Sequence, residues 1–368
     1  MGMMVAAGAG EMTLEPQGGV TVEQDDNPLL TAQQHDTTVQ TRATVSADIN
    51  YESETANLAI EPKLVSARYS GDQDLDYNAS YLDLNTGYQG ESLSPSLKLN
   101  YTKDTTLTSE PAEVGVVQAV HDRNKWSVDP SVVYEINEWV GLQAGVGFLD
   151  VSYDDGAAPS LYGYHQKTAN LGLVSELAAD KSLNIILSAY QMETPDLDQE
   201  TDYYSLTLRY ESELSQTSRL SMSVGGYRID FNLDSAATVE DPEDTGFTAE
   251  FSMNERFEYL AGRVSLSRDL SPGYRGNLTR QDKAALSLGG GITETVSVNL
   301  GYNVLKVTEL DTRLSGQDRD YHTASLGLTW RAVEHWSTGL SYVYRDYRPV
   351  DKDLRAESNI VRLSVNYR

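Results

Sequence analysis

The strongest constraint on this chain is a period of two in its apolar residues, kept from one end to the other. Near the C-terminus Val361, Leu363, Val365 and Tyr367 fall on one face, and Arg362, Ser364, Asn366 and Arg368 on the other. Leu340, Tyr342 and Tyr344 oppose Ser341, Val343 and Arg345, while Ala324, Leu326, Leu328 and Trp330 oppose Thr323, Ser325, Gly327, Thr329 and Arg331. Tyr204, Leu206, Leu208 and Tyr210 alternate with Tyr203, Ser205, Thr207 and Arg209. Near the start, Val39, Ala43, Val45, Ala47 and Ile49 oppose Gln40, Arg42, Thr44, Ser46, Asp48 and Asn50. Side chains that alternate in this way belong to extended strands with one apolar face. No segment carries an apolar stripe at helical spacing, so the chain reads as all-β.

About eighteen such segments follow one another, most of roughly 10 to 13 residues, the length that crosses a bilayer at a tilt near 45°. They are expected near 13–24, 38–51, 57–69, 77–88, 92–103, 126–136, 140–152, 163–177, 182–192, 202–210, 219–232, 246–254, 259–269, 278–290, 296–307, 320–331, 337–347 and 358–368. Soluble strands cluster near 5 to 6 residues, so the length itself is informative. Short polar turns at 52–56, 89–91, 137–139, 178–181, 211–218, 255–258, 292–295 and 332–336 alternate with longer segments rich in Asp, Gly and Pro. That rhythm predicts a single transmembrane antiparallel up-and-down β-barrel over 13–368, with short periplasmic turns, long acidic outer loops and both termini periplasmic. Residues 1–12 read as a residual signal-peptide-like or flexible leader: the stretch is small and apolar and contains Ala7-Gly8-Ala9, without a basic n-region.

A tandem array of β-sandwiches is the rival architecture, because its strands alternate too. Sandwich strands are shorter and do not gather aromatic residues at both ends of the apolar face. Here Tyr51, Tyr88, Tyr134, Tyr210, Trp330 and Tyr367 close strands at one rim, with Trp139 and Trp336 in adjoining turns, and Tyr101, Phe148 and Tyr344 lie toward the other. Two aromatic girdles flanking an apolar band mark the two bilayer interfaces. The mean hydropathy of -0.44 agrees, since barrel strands alternate and average out as polar.

The chain has 28 basic and 55 acidic residues, a formal charge of -27 and no Cys. This excludes a disulfide scaffold and a thiolate metal site, and argues against nucleic acid, whose phosphates demand the opposite sign. The strand assignment locates the acidic excess in the outer loops. The lumen-facing set is mixed in sign: Arg42, Lys63, Lys98, Arg209, Arg263, Lys283, Arg331, Arg345 and Arg362, with Asp48, Glu61, Asp83, Asp129, Glu135 and Glu176. Two readings of these charges stay open, salt-bridge ladders that hold the wall or the lining of a polar conduit. Tyr203, Tyr227 and Tyr321 are expected as stacking surfaces in the lumen. Loop carboxylates at Asp72, Asp74, Asp76, Asp196, Asp198, Asp241, Glu243 and Asp244 could form weak divalent-cation sites, though none has the spacing of a dedicated Ca²⁺ loop. The semi-apolar segment from Lys103 to Asn124, with Val114-Gly115-Val116-Val117 at its middle, is the expected constriction.

Catalytic machinery is not expected, and no cofactor. His35, His121, His165, His322 and His335 have no spacing that requires a nucleophile or carboxylate beside them, and no Gly-rich phosphate loop follows a strand. Gly289-Gly290-Gly291 is explained by close backbone approach at a strand end.

Several segments resemble the β-barrel porin 2 family: Glu23-Gln24-Asp25-Asp26-Asn27-Pro28, the run from Tyr101 to Glu110, Leu266-Ser267-Arg268-Asp269-Leu270-Ser271-Pro272, and the closing Leu363-Ser364-Val365-Asn366-Tyr367-Arg368. The likeness runs over nearly the whole chain. It implies a barrel in the outer membrane of a Gram-negative bacterium, linked in several members to exopolysaccharide export, and it supplies no catalytic residues. One departure is the terminal Arg368 where such barrels end in an aromatic; Tyr367 is penultimate. The resulting expectation is a porin-like channel for export or passage of a saccharide or exopolysaccharide. The alternatives are a structural or surface-interaction barrel with cation-binding acidic loops, and an outer-membrane hydrolase. Expected partners are outer-membrane lipid and lipopolysaccharide, a periplasmic polysaccharide-export component and the saccharide solute.

Overall fold

The structure is a computed structural model that describes residues 5–7, 10–32, 36–71, 75–108, 120–154, 161–233, 243–273, 276–310, 318–349 and 355–368. In chain order its strands are β1 (Val5–Ala7), β2 (Gly10–Asp25), β3 (Thr38–Ser53), β4 (Ala56–Ser70), β5 (Tyr77–Tyr88), β6 (Leu93–Thr105), β7 (Asp122–Asn137), β8 (Val140–Tyr153) and β9 (Tyr164–Ala178). They continue with β10 (Lys181–Thr194), β11 (Gln199–Glu213), β12 (Ser218–Leu233), β13 (Glu243–Arg256), β14 (Leu260–Pro272), β15 (Leu278–Gly291), β16 (Val296–Glu309), β17 (Arg319–Val333), β18 (Trp336–Pro349) and β19 (Ala356–Tyr367). From β2 onward each strand pairs antiparallel with the next, and β19 returns to β2 through Ile360↔Asp25 to Tyr367↔Gly18. Closure leaves the long strands without a free edge.

Every segment expected from the alternation overlaps one strand of this barrel, the largest displacement being the start of β7 at Asp122 instead of 126. The barrel also reaches further toward the N-terminus than 13: β2 begins at Gly10, and β1 pairs with it as Val5↔Met12 to Ala7↔Gly10. The start of β2 and the end of β19 lie at the end of the barrel that carries the short turns. Those turns are made locally by side chains that cap the backbone. Asn137 Oδ1 accepts the N–H groups of Trp139 and Val140, and Thr293 Oγ1 those of Thr295 and Val296. At Gly290 a Cβ would collide with the backbone of Tyr259, the close approach expected of that glycine run.

The two faces of the wall are told apart by burial. Apolar residues such as Val45, Leu64, Val146, Leu171, Leu206 and Val224 are exposed on one face, while residues of the opposite parity include the best buried of the chain. With a single chain present, burial identifies the interior, so the exposed apolar face is the exterior. Such a continuous apolar exterior is what a bilayer covers. On β8 it runs from Val140 to Phe148, which at about 3.3 Å per residue and a tilt near 40° spans roughly 20 to 25 Å, close to the ~25 Å apolar band of membrane barrels.

Above that band the faces keep their parity and exchange their chemistry. On β12 Met222 and Val224 point outward and Ser221 and Ser223 inward; beyond Gly225-Gly226, Ile229 (0% exposed) and Phe231 (1%) are inside while Arg228, Asp230 and Asn232 are outside. On β16 Leu300 and Tyr302 face out, but further along Leu305 and Val307 are buried inside and Lys306 faces out. A wall that rises past the bilayer has water outside, and its interior becomes an ordinary core.

Candidate functional site

The interior divides into an open vestibule at the short-turn end and a packed seal at the long-loop end. The seal contains three apolar clusters. Val151, Tyr164, Met192, Tyr227, Ile229, Phe231 and Leu278 form one; Leu30, Leu305, Val307, Tyr321 and Ala356 the second; Val65, Ala67, Tyr77 and Ala79 the third. The sequence reading placed in the lumen a set of mixed charges and three tyrosines; in this half the interior also holds apolar clusters that it did not name, for the reason of wall height given above. Leu30 comes from the β2–β3 loop and is wholly buried against β16, β17 and β19, so the part of that loop around it turns inward at the mouth. It does so with Leu30 at φ 47°, a left-handed conformation uncommon for a leucine. Across the mouth, Thr194 Oγ1 donates to the Gly276 carbonyl at 2.6 Å, tying the end of β10 to the β14–β15 loop. A Cβ at Gly276 would strike Thr194.

Buried ion pairs tie the seal together. Arg123 and Asp104, both 3% exposed, meet at 3.1 Å; Arg319 meets Glu309 at 3.5 Å; and Arg345 meets Asp25 at 2.5 Å, while below the seal the half-buried Arg362 is paired with Glu23. Ser358 Oγ donates to the second oxygen of Asp25 at 2.7 Å. A charge so far from water is tolerated only with its partner in place.

The cross-strand register places all the sequence-expected lumen residues on the interior face. Asp48, Glu61, Asp83, Lys98, Glu135, Glu176, Arg209, Arg263 and Arg331 lie toward the short-turn end. Lys63, Asp129 and Arg362 lie between the two ends. Arg42, Lys283, Arg345, Tyr203, Tyr227 and Tyr321 lie in or just beneath the seal. Both readings of the charges find examples: Arg345 and Arg362 are paired within the wall, while among the described residues Arg209, Arg263 and Arg331 make no ion pair. Tyr203 stacks on Tyr190 at 4.4 Å and meets Tyr227 edge-on at 6.3 Å. Tyr227 and Tyr321 are buried, so neither offers a ring face to the lumen here.

Sequence reasoning placed the constriction between Lys103 and Asn124. The strands take most of the ends of that segment, β6 reaching Thr105 and β7 starting at Asp122, and Val114 to Val117 lie outside the described residues. Leu30, Gly276 and Thr194 were not anticipated. The signals available were an apolar Leu29-Leu30 inside an acidic loop and a glycine in the short β14–β15 connection.

Of the carboxylates considered for cations, Asp72, Asp74 and Asp241 lie outside the described residues, as do the side chains of Glu243 and Asp244. Asp76 accepts the Tyr69 N–H at 2.6 Å and stands 3.9 Å from Arg68. Asp196 and Asp198 belong to a 3₁₀ turn and its cap. Among the described residues no three His, Asp or Glu side chains converge on a metal-sized space. His165 meets Asp150 at 2.5 Å and His322 meets the Tyr302 hydroxyl at 3.1 Å, both on the exterior; among the described residues neither imidazole hydrogen-bonds a serine. His35 lies outside the described residues.

At the short-turn end the interior opens. One recess of the vestibule, about 710 Å³, is bounded by the charged residues Glu213, Arg219, Glu255, Arg256 and Arg263 and by Asn254, Ser287, Gly289, Asn299, Gly301 and Ser325 among others. The recess is deepest where the inward residues are small, at Ser287, Gly289, Gly301 and Ser325.

Taken together these features define a closed, 18-stranded antiparallel β-barrel with a membrane-type exterior, a packed mouth and an open vestibule. In fold it is similar to the FrpB iron transporter from Neisseria meningitidis, at a TM-score of 0.50 and 10% identity over 96% of this chain and 82% of that one. OccAB2 from Acinetobacter baumannii gives a TM-score of 0.47 at 10% identity, covering 96% of this chain and 97% of the other. OprD from Pseudomonas aeruginosa gives 0.44 at 12% identity, covering 96% and 94%. No family model matches the chain. No curated protein matches it in sequence.

Proposed function

We propose that this chain is a porin-like channel of the Gram-negative outer membrane, its short turns in the periplasm and its long loops outside, serving the export or passage of a saccharide. The observation that carries the reading is the contrast between faces: an exterior of exposed Leu, Val and aromatic residues surrounds a vestibule lined by charges, amides and hydroxyls. Eighteen strands are on the scale that leaves an aqueous lumen. The apolar packing at the mouth supports a channel that is gated there. Outer-membrane lipid and lipopolysaccharide would contact the band and the loops, and a periplasmic export component would dock where the vestibule opens. The saccharide is supported by the family resemblance and by the hydroxyl- and amide-rich lining, which suits sugar hydroxyls better than apolar solutes.

Planar-bilayer recordings of the purified protein, with and without loosening of the seal, test the reading. Ion conductance that rises when the seal is weakened is the expected result; silence in both forms would sink it. A surface-interaction barrel is the second reading, favoured by the closed mouth, and that silence is its signature.

A further inference from the structure

The register concentrates carboxylates on one stretch of the interior near the short-turn end, although Lys63 on β4 and Lys98 on β6 face inward close by. On one side Glu15 faces Asp48, Asp48 faces Glu61 by continuation of the β3–β4 register, and Glu61 faces Asp83, so four carboxylates cross β2 to β5 in a single row. Like charges directly opposite one another repel, and this row is kept at the wet end of the barrel. Across the barrel Arg209, Arg256 and Arg263 face inward from β11, β13 and β14, with Glu211 and Glu213 on the same face of β11, and Arg331 faces inward from β17, three strands short of β2. Asp48, Glu61, Asp83 and these four arginines each lie at most five residues from the short-turn end of their strands. Among the described residues none of the four arginines makes an ion pair.

The recess described above is cut into this basic wall. Arg256 and Arg263 stand at its edge, and its floor follows the row Arg263, Ser287, Gly301 and Ser325 across β14 to β17. Arg219, on the same rim, is already held by Glu213 at 2.5 Å. A guanidinium presents five N–H donors in a planar fork that fits a carboxylate with two parallel bonds. Asn254, Asn299, Ser287 and Ser325 add groups that both donate and accept, the pattern hydroxyl-rich ligands need. The recess also carries two carboxylates, but both are engaged: Glu213 holds Arg219, and Glu255 accepts the hydroxyls of Thr217 and Ser218. Arg256 and Arg263 make no ion pair among the described residues, and beside the amides and serines they favour an anionic, hydroxylated ligand.

We infer that this recess binds the carboxylate-bearing units of an acidic saccharide, with Arg256 and Arg263 on the carboxylate and the amides and serines on the ring hydroxyls. The acidic row opposite keeps such a chain on the basic side of the vestibule. This deepens the channel reading by naming its substrate class and rests on that reading for passage, though not for binding.

The test uses the purified full chain in nanodiscs, titrated calorimetrically with glucuronic acid oligomers, neutral glucose oligomers of equal length and a sugar phosphate. The acidic oligomer should bind at least about tenfold more tightly than the neutral one. Arg256→Glu with Arg263→Glu should abolish that difference, each lost charge-assisted contact being worth roughly a factor of ten. Arg256→Lys with Arg263→Lys should restore part of it, and Ser287→Trp should block the recess with the charges intact. Equal binding of acidic and neutral oligomers, or no effect of the charge reversal, overturns the inference; binding of the sugar phosphate alone overturns the carboxylate assignment. Conductance measured on the same preparation separates the claims. A conducting barrel without acid preference rejects the inference and keeps the channel, while acid binding without conductance rejects the channel and keeps the site.

Discussion

The guanidinium of Arg345 on β18 reaches past β19 to Asp25, the last residue of β2, at 2.5 Å, and Ser358 of the intervening strand completes the contact. The first and last parts of the chain are thus joined inside the seal as well as along the β2–β19 ladder. Removing either partner leaves a buried charge without compensation, at a cost of about 3 to 5 kcal/mol. Arg345→Ala or Asp25→Ala should therefore lower the denaturation midpoint in detergent and raise the open probability in bilayers. The double replacement Asp25→Leu with Arg345→Met should recover most of the stability. Wild-type denaturation by the single variants would show that the pair contributes nothing to the seal.

Leu30 is the apolar anchor of the inward-folded first loop. Leu30→Ala removes a fully buried side chain, a change worth about 2 to 5 kcal/mol in ordinary cores. Here the loss falls on a loop, so its release from Leu305 and Tyr321 is expected before the barrel unfolds. The prediction is a larger single-channel conductance at nearly unchanged thermal stability. A large fall in stability with no change in conductance would place Leu30 in the scaffold and outside the gate.

How much of this could be read from the sequence divides along physical lines. Strand number, parity and turn positions were legible because a period of two and a short-long rhythm are local signals, and parity alone put Arg209, Arg263 and Tyr227 on the interior face. The exchange of chemistry above the band was only half legible. Ile229 and Phe231 alternate with Arg228 and Asp230 in a way that suggests a lipid-facing Ile229 if polarity is read without the parity of the whole strand. The opposition of Asp48, Glu61 and Asp83 to Arg256 and Arg263 was not legible, since it needs the register of every strand in between. The seat of Leu30 among Leu305, Tyr321 and Ala356 joins residues with no local relation at all.

The carboxylate row bears on ion selectivity independently of any bound solute. Glu15 is paired with Arg368 at 3.5 Å, but Asp48, Glu61 and Asp83 make no ion pair among the described residues, and their negative charge raises the local cation concentration. Replacing Asp48, Glu61 and Asp83 together by Asn, Gln and Asn should lower the cation-to-anion permeability ratio, read as a shift in reversal potential under a salt gradient. The effect should shrink at high salt, where the Debye length falls to about 3 Å at 1 M. An unchanged reversal potential at low salt would mean that the row lies off the ion path.

The exchange of chemistry along β12 can be tested directly, because the chain has no Cys and single thiols can be introduced against a silent background. With the barrel in lipid vesicles, Ser223→Cys should react with a water-soluble maleimide through the vestibule, whereas Val224→Cys, one residue on, should be shielded by acyl chains. Past the glycine pair the pattern should reverse: Ile229→Cys inside the seal stays unreactive, while Asp230→Cys outside is labelled. A strand crossing the membrane along its whole length would instead leave Asp230→Cys protected, and a lumen open from end to end would label Ile229→Cys. Labelling of Ile229→Cys only after Leu30→Ala is introduced would go further, because it requires water to reach the buried layer when the first loop is released, with the barrel wall intact.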